Sequence, residues 1–284
     1  MGNKIIDIYK DLFDTQNIME TLCKYIAYSK CGLVYDFGST TIPKATKLYR
    51  IRKYSPNIDF SDPKQWTPSP NKNQNRCNTN GETALYLGST ELVCLLETNI
   101  QQNEKYVLAE YEITEDIEVG GFIYVNPNES RWKFLVAVLF NAFLIAPSRN
   151  SGNEYLFDIL DNYFSDTDFS NIRLDTITNP KENVLLSLRI GCINQKNKYY
   201  NITNEMCNIL KTKTPKGIRY SSCFIPMETV GIQCSEYNIC LYESALKSIK
   251  FLKSDIKVNT KKYTSVDMVK LLLTTEKEKE NEKQ

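Results

Sequence analysis

The segment from Asn75 to Thr98 constrains the fold of this chain more than any other part of the sequence. A polar turn that begins at Arg76 leads into a short apolar run around Tyr86, which has the length of a strand. An apolar run with helical spacing follows at once and closes on Glu97. The segment therefore predicts a strand–helix unit that carries a cation, an aromatic ring and a carboxylate. These groups suit a ligand that contains a diphosphate, a flat ring and a ribose.

Apolar runs with alternating and with helical spacing are interspersed along the chain and favour the α+β class. Two helices, broken near Asp14, are expected within residues 4–27, and a connector over 28–46 follows them. Residues 55–82 are rich in Ser, Pro, Asn and Asp and predict a long loop. The predicted strands are 48–52, 83–88, 106–113, 184–190, 217–221 and 236–242. The other predicted helices are 90–101, 134–146, 153–164, 203–212 and one that begins at a capping box of Thr264 and Asp267.

The charge balance argues against a general attraction to polyanions, because 35 basic and 34 acidic residues leave a formal net charge of +1. We therefore expect no nucleic-acid partner. The longest apolar run, Phe134 to Ala146, is too short to span a bilayer and predicts a buried helix. The first residues lack the apolar core of a secretory signal, so we expect a cytoplasmic protein that does not bind a membrane.

The sequence contains no histidine, which removes Ser-His-Asp and Cys-His catalysis and every histidine-ligated metal site. Nine cysteines are present, but no two of them have the C-x-x-C spacing. Several of them, such as Cys94, lie within apolar runs, so we expect reduced, buried thiols and no metal site. Any chemistry must therefore use carboxylates, hydroxyls, phenols, thiols or basic groups.

Several short motifs follow one another along the chain in the order of a known family. They are Leu48–Ile51, Arg76–Gly81, Leu85–Leu87 with Glu97, Tyr200–Thr203, Gly217–Ser222 and Asn238–Tyr242. In these motifs the chain resembles the RES family, named for its Arg, Glu and Ser. Members are mostly bacterial toxins that destroy NAD and have an ADP-ribosyltransferase-like fold. Two positions depart from the family pattern, since Asn75 replaces a glycine and Cys77 replaces an aromatic residue.

The resemblance implies an α+β domain whose core is a mixed sheet with flanking helices. The match covers about residues 47–118 and 199–245 and leaves a mostly helical insertion at about 120–198. The expected parts of the chain are an N-terminal helical extension (1–46), the catalytic domain (47–245) and a C-terminal helix with a charged tail (246–284).

Cleavage of the nicotinamide–ribose bond creates an oxocarbenium-like centre, which needs a diphosphate anchor, a wall for nicotinamide and a carboxylate beside the ribose. With the family match, Arg76 is predicted as the anion clamp and Arg50 as a second clamp, and Arg52 lies on the same strand face as Arg50. Tyr86 is expected to stack on nicotinamide. Glu97 is expected to hold the ribose hydroxyls, stabilise the transition state and orient the attacking water.

Ser222 corresponds to the family serine, which would bind a phosphate or ribose oxygen, although the adjacent Ser221 fits the motif as well. Asn238 is expected to secure a turn or strand end, or to contact the ligand. A serine nucleophile is not expected, because neither a histidine nor a base motif accompanies it. Glu91, earlier in the predicted helix, has the pattern of a plain exposed acid.

The resemblance implies an enzyme that consumes NAD as a substrate and uses no cofactor or metal. Water as acceptor makes it a glycohydrolase and phosphate makes it a phosphorylase, whereas a protein acceptor makes it an ADP-ribosyltransferase. A catalytically inactive NAD-binding module is a further alternative. Because such an activity depletes a shared cofactor, a toxin or defence effector is expected, restrained by an antitoxin-like inhibitor protein or a trigger. The helices within residues 4–27 would dock an inhibitor, form a homo-oligomer or pack on their own domain.

Overall fold

The computed structural model describes four long parts of the chain and several isolated helical positions. The long parts are residues 5–17, 39–121, 196–225 and 236–262, and the isolated positions are 20, 21, 24, 143, 144, 162, 265, 267, 268 and 270. Thr264, the predicted strand 184–190 and most of the predicted helices 134–146 and 153–164 lie outside the described residues. Phe143 and Leu144 are helical and buried. Within the described parts, no helix has the length and apolar character needed to cross a membrane.

Eight strands form one mixed sheet, and this sheet with its helices confirms the α+β class. The strands are β1 (Ser39–Ile42), β2 (Lys47–Lys53), β3 (Ala84–Gly88), β4 (Lys105–Ile113), β5 (Ile117–Gly120), β6 (Gly217–Tyr220), β7 (Asn238–Tyr242) and β8 (Ile249–Val258). Their order across the sheet is β1-β5-β6-β7-β3-β2-β4-β8. β5 and β6 pair in parallel, whereas the other neighbours are antiparallel.

Alternation along the strands divides the apolar side chains between the two faces of the sheet. Leu48 on β2 and Val107 on β4 belong to a large buried cluster on one face, together with Trp66. Ile51 on β2 and Leu108 on β4 point to the other face, where they meet Cys94, Leu95, Ile100 and Tyr106 in a smaller cluster. The two faces of β2 therefore pack into different clusters, and this packing fixes the register of the strand.

Three α-helices lie in the described parts, namely α1 (Ile5–Asp14), α2 (Glu91–Glu97) and α3 (Lys196–Lys211). α2 begins where the Thr90 hydroxyl accepts a hydrogen bond from the Val93 amide at 3.3 Å. It is shorter than the predicted 90–101, because Asn99 adopts a left-handed backbone with φ of 49°. The Ile100 amide then returns to the Leu95 carbonyl at 3.1 Å, and this bond closes the helix.

The two edge strands and β5 were missed by the sequence patterns. Residues 28–46, predicted as a connector, contain β1, and residues 246–284, predicted as a helix and tail, contain β8. No residue of β8 is fully buried: Lys250 and Lys253 are exposed, and so are the apolar residues Ile256 and Val258. This pattern suits an exposed sheet edge but gives a weak strand signal. β1 pairs with β5 and β8 with β4, so the predicted boundaries at 46 and 246 cut through one sheet.

β2 and β3 are neighbours at the centre of the sheet but share a single paired position, Tyr49 with Gly88. On their outer sides, all seven residues of β2 pair with β4 and all five residues of β3 pair with β7. The two halves of the sheet are therefore each continuous, and they separate from one another beyond Tyr49 and Gly88. This separation creates the space for the site described below.

The predicted long loop over 55–82 is packed against the large cluster through Trp66, which is 1% exposed. The indole Nε1 donates to the Phe60 carbonyl at 2.8 Å, and the Trp66 carbonyl accepts from the Tyr111 hydroxyl at 2.9 Å. The indole also stacks on Phe251, with ring centroids 6.1 Å apart and 13° between the planes. One side chain thus ties the loop to β4 and β8.

We expect Trp66→Ala to lower the free energy of unfolding by about 3–5 kcal/mol, because it opens a cavity in the large cluster. Trp66→Phe keeps most of the apolar volume and loses the Nε1 hydrogen bond, so its loss should be clearly smaller. Urea denaturation followed by circular dichroism measures both changes. Equal stability of Trp66→Ala and the unchanged protein would show that the loop is not held in this way.

Candidate active site

A cavity of about 280 Å³ lies where β2 and β3 separate. Continued pairing would bring Arg50 opposite Leu87 and Ile51 opposite Tyr86, but these four residues line the cavity instead. α2, β6 and β7 complete its wall. The polar and aromatic lining residues that matter for chemistry are Tyr49, Arg50, Tyr86, Glu97, Tyr220 and Asn238.

Glu97, the last residue of α2, is held in the cavity by two side chains from distant parts of the chain. Its Oε1 accepts a hydrogen bond from Ser222 Oγ at 2.6 Å and another from Asn238 Nδ2 at 2.8 Å. Across the described residues, no group donates to the second carboxylate oxygen, Oε2. One oxygen is therefore fixed by the protein, and the other is available to a ligand.

Ser222, rather than Ser221, is the serine that reaches the carboxylate. Its side chain lies in the interior, since the residue is 1% exposed. Besides donating to Glu97, its Oγ accepts a hydrogen bond from the Phe224 amide at 3.2 Å. The family serine was predicted to bind a phosphate or ribose oxygen, but in this arrangement it holds Glu97. Asn238, predicted to secure a strand end or contact a ligand, begins β7 and also holds Glu97.

A glycine sets the distance of α2 from the sheet and thus the position of Glu97. A Cβ atom built on Gly88 would lie 2.6 Å from Cys94 Sγ, far inside contact distance. Cys94 in turn donates through its thiol to the Tyr49 carbonyl on β2 at 3.3 Å. The helix therefore rests directly on both separated strands, which it could not do over a larger residue at position 88.

Tyr86 presents its ring to the cavity while its hydroxyl is engaged elsewhere. The hydroxyl accepts from the Cys77 amide at 2.9 Å and donates to Asn78 Oδ1 at 2.9 Å. Burial raises the pKa of the Tyr86 phenol well above its usual value, and the nearby Cys240 thiol adds to that effect. Tyr86 is therefore a neutral aromatic wall at physiological pH and does not act as a base.

Arg50 is the cation of the cavity. Burial lowers the pKa of its guanidinium, and the Tyr111 hydroxyl opposes that shift. Guanidinium groups nevertheless stay charged in proteins. No carboxylate of the described residues pairs with Arg50. A half-buried cation without an ionic partner, at the wall of an open cavity, is a suitable site for an anion.

Arg52, on the same strand face, has a structural role. Its Nη1 donates to the Gln65 carbonyl at 3.1 Å. Its guanidinium carbon lies 5.4 Å from the ring centre of Phe60 and 5.8 Å from that of Trp66. These contacts hold Arg52 in the packing of the 55–82 loop, and it does not line the cavity. Of these two arginines, only Arg50 lines the cavity.

Arg76, the predicted main clamp, does not line the cavity. Its Nη1 donates to the backbone carbonyls of Phe143 at 3.1 Å and Leu144 at 2.8 Å, within the predicted insertion. Its charge still reaches the edge of the cavity, because it opposes the rise in the pKa of Tyr220 that burial causes. A direct contact of Arg76 with a diphosphate remains a prediction, and it would require these two hydrogen bonds to rearrange.

Sequence reasoning missed Tyr49, Thr98 and Tyr220, which all line the cavity. It also missed Asn78, which is fully buried and accepts a hydrogen bond from the Tyr86 hydroxyl. All but Thr98 lie inside motifs quoted for the family resemblance. Each of these four residues lies one or two positions from a residue that was predicted for the site. Strand alternation and turn geometry decide which of the neighbouring side chains faces the cavity.

The five cysteines of the described parts at positions 77, 94, 207, 223 and 240 are free and buried, as expected. Among the described residues, no group of cysteine and acidic side chains is arranged to hold a metal ion. The Cys77 side chain contacts those of Cys207 and Cys240, and the Cys240 side chain contacts Tyr86. They form part of the support behind the aromatic wall.

No protein-family model, curated protein or solved structure matches this chain. A function for this chain must therefore be inferred from the geometry of the cavity and from the motifs in the sequence.

Burial raises the pKa of the Cys94 thiol to about 12, so this cavity residue should resist alkylation. The thiolate reacts, and an unfolded cysteine has a pKa of about 8.5. At pH 8.5 we expect iodoacetamide to label Cys94 at least about a hundredfold more slowly in the folded protein than in urea. Peptide mass spectrometry measures the labelling. Similar rates in both states would contradict the buried position of Cys94 against Tyr49.

Proposed function

We propose that this protein cleaves the bond between nicotinamide and ribose in NAD and has an ADP-ribosyltransferase-like fold similar to that of the RES family. The observation that carries the proposal is the convergence of Arg50, Tyr86, Glu97 and Asn238 on one cavity. Together with Ser222, which bonds to Glu97, these residues come from four separate motifs of the resemblance. The mixed sheet with flanking helices also agrees with the expected fold.

The chemistry follows from the charges in the cavity. In hydrolysis, a water oxygen bonds to C1′ of the ribose while the bond from C1′ to the pyridinium nitrogen breaks. The electron pair of that bond neutralises the pyridinium, and one water proton is released to solvent. Glu97 stabilises the positive charge that develops on the ribose and holds a ribose hydroxyl or the water through Oε2. Nicotinamide leaves as a neutral molecule and needs no acid, which agrees with the lack of histidine.

The remaining residues position the substrate. The ring of Tyr86 provides a wall for nicotinamide, with Tyr49 and Tyr220 as further aromatic surfaces of the same cavity. Arg50 offers a guanidinium to a phosphate oxygen. Arg76 is proposed as a second contact to the diphosphate, made when its bonds to the carbonyls of Phe143 and Leu144 rearrange.

Incubation of the purified protein with NAD, followed by chromatography of the products, tests the proposal. Nicotinamide with ADP-ribose indicates a glycohydrolase, and a phosphorylated ADP-ribose that appears only with phosphate indicates a phosphorylase. Nicotinamide release that requires a protein acceptor indicates an ADP-ribosyltransferase. Saturable NAD binding without turnover indicates an inactive binding module. Absence of both binding and turnover would refute the proposed function.

We expect Glu97→Gln to lower kcat by about 10²–10³-fold with little change in KM, because the amide keeps the shape of the side chain but loses its charge. Glu91→Gln is a matched control at the other end of α2. Glu91 accepts from the Tyr106 hydroxyl and pairs with Lys257 at 2.8 Å, away from the cavity. A Glu97→Gln variant as active as Glu91→Gln would exclude Glu97 from the reaction.

Ser222→Ala should lower kcat by about ten- to a hundredfold, because a hydrogen bond to a charged group contributes about 1.5–3 kcal/mol. Ser221→Ala is the control, since the adjacent buried serine makes no hydrogen bond to Glu97. Steady-state kinetics with NAD separates the effects on kcat and KM. If both variants lose the same activity, the bond from Ser222 to Glu97 does not position the carboxylate.

As a cellular role, we propose a toxin or defence effector of the cytoplasm that depletes NAD. Its host would need an inhibitor protein that covers the cavity, or a trigger that opens it. Expression in a bacterium, with NAD measured in cell extracts, tests this role. Growth arrest with falling NAD, abolished by Glu97→Ala, is the expected result. Unimpaired growth with unchanged NAD would count against it.

A further inference from the structure

The size of the cavity limits how much of a dinucleotide it can enclose. Its volume of about 280 Å³ is just below the roughly 300–1,000 Å³ typical of pockets that enclose small ligands. NAD contains two bases, two riboses and two phosphates, and a space of this size encloses about one of its two nucleotide halves. The other half must lie outside.

The position of Glu97 decides which half is inside. This inference rests on the proposed function, in which the nicotinamide–ribose bond is the one that breaks. Its C1′ atom must lie beside the carboxylate, and Glu97 lines the same cavity as Tyr86 and Arg50. The nicotinamide half is therefore enclosed, and the adenosine half extends away from the eleven residues that form the wall.

The charged residues that line the cavity also match the charges of the nicotinamide half of NAD. Among the eleven lining residues, Arg50 is the only basic one and Glu97 the only acidic one. Oxidised nicotinamide ribose 5′-phosphate carries one positive charge on its pyridinium ring and negative charge on its phosphate. Glu97 thus offers a partner for the positive charge and Arg50 a partner for the negative charge. Arg50 has no carboxylate partner among the described residues.

We propose that the site recognises the nicotinamide ribose 5′-phosphate group and that the adenosine half is dispensable. Nicotinamide mononucleotide is then a substrate in its own right. Water adds to C1′, the C1′–N bond breaks with its electron pair going to the ring, and nicotinamide, ribose 5-phosphate and one proton are released. A phosphate group on the adenosine ribose, as in NADP, is tolerated for the same reason.

Nicotinamide release from four substrates tests the proposal on the unaltered protein: NAD, NADP, nicotinamide mononucleotide and nicotinamide riboside. We expect kcat/KM for the mononucleotide and NADP within about tenfold of that for NAD. The riboside, which has no phosphate for Arg50, should be about ten- to a hundredfold poorer. Cleavage of NAD with a mononucleotide more than about a hundredfold slower would overturn this inference and leave the proposed function intact. Failure to cleave any of the four would remove the proposed function itself.

Arg50→Ala tests the role of the guanidinium. We expect kcat/KM for NAD and the mononucleotide to fall by about ten- to a hundredfold, and the value for the riboside to fall by much less. Lys53→Ala is the matched control, because Lys53 carries the same charge on the same strand and pairs with Glu104 outside the cavity. Circular dichroism checks that each variant is folded. An equal loss on all three substrates would show that Arg50 does not hold the phosphate.

Discussion

The separation of β2 from β3 is the constraint on which the site depends. A gap in the middle of a sheet leaves backbone groups without strand partners, and such groups need water or a ligand. The gap is tolerated because each half of the sheet keeps its own ladder, and because α2 covers one side of it. Gly88, the last paired residue of β3, lets α2 approach closely enough for Glu97 to reach the opening.

The cavity also keeps two opposite charges apart. Arg50 and Glu97 line the same small space, and the described residues include no ion pair between them. Holding a charge in a half-buried position costs free energy unless polar groups compensate it. Ser222 and Asn238 supply that compensation for Glu97, whereas Arg50 receives only the nearby Tyr111 hydroxyl. The protein thus compensates the negative charge of Glu97 more fully than the positive charge of Arg50. This difference suits a ligand that brings negative charge to Arg50.

The sequence was sufficient for the strands that have a clear apolar pattern and insufficient for those that do not. β2 and part of β4 alternate, β3, β6 and β7 are short, mostly buried runs, and all five were predicted to within two residues at each end, whereas β8 has lysines along an open edge. In the site, Tyr86, Glu97 and Asn238 were found through motifs. The bond from Ser222 to Glu97 could not be foreseen, because it joins segments 125 positions apart. The contacts of Arg76 with Phe143 and Leu144 depend on how the predicted insertion, which contains no recognised motif, packs against the domain.

The lack of histidine is consistent with a site that works by charge placement rather than by proton transfer. The hydroxyl proton of Tyr86 is committed to Asn78, and burial keeps that phenol protonated, so the ring contributes surface and no base. A leaving group that departs neutral from a cationic ring needs only stabilisation of the ribose cation, which one oriented carboxylate provides. The uncharged ring of a reduced dinucleotide lacks that driving force. In the proposed reaction, the site would therefore cleave the oxidised dinucleotide and leave the reduced one intact.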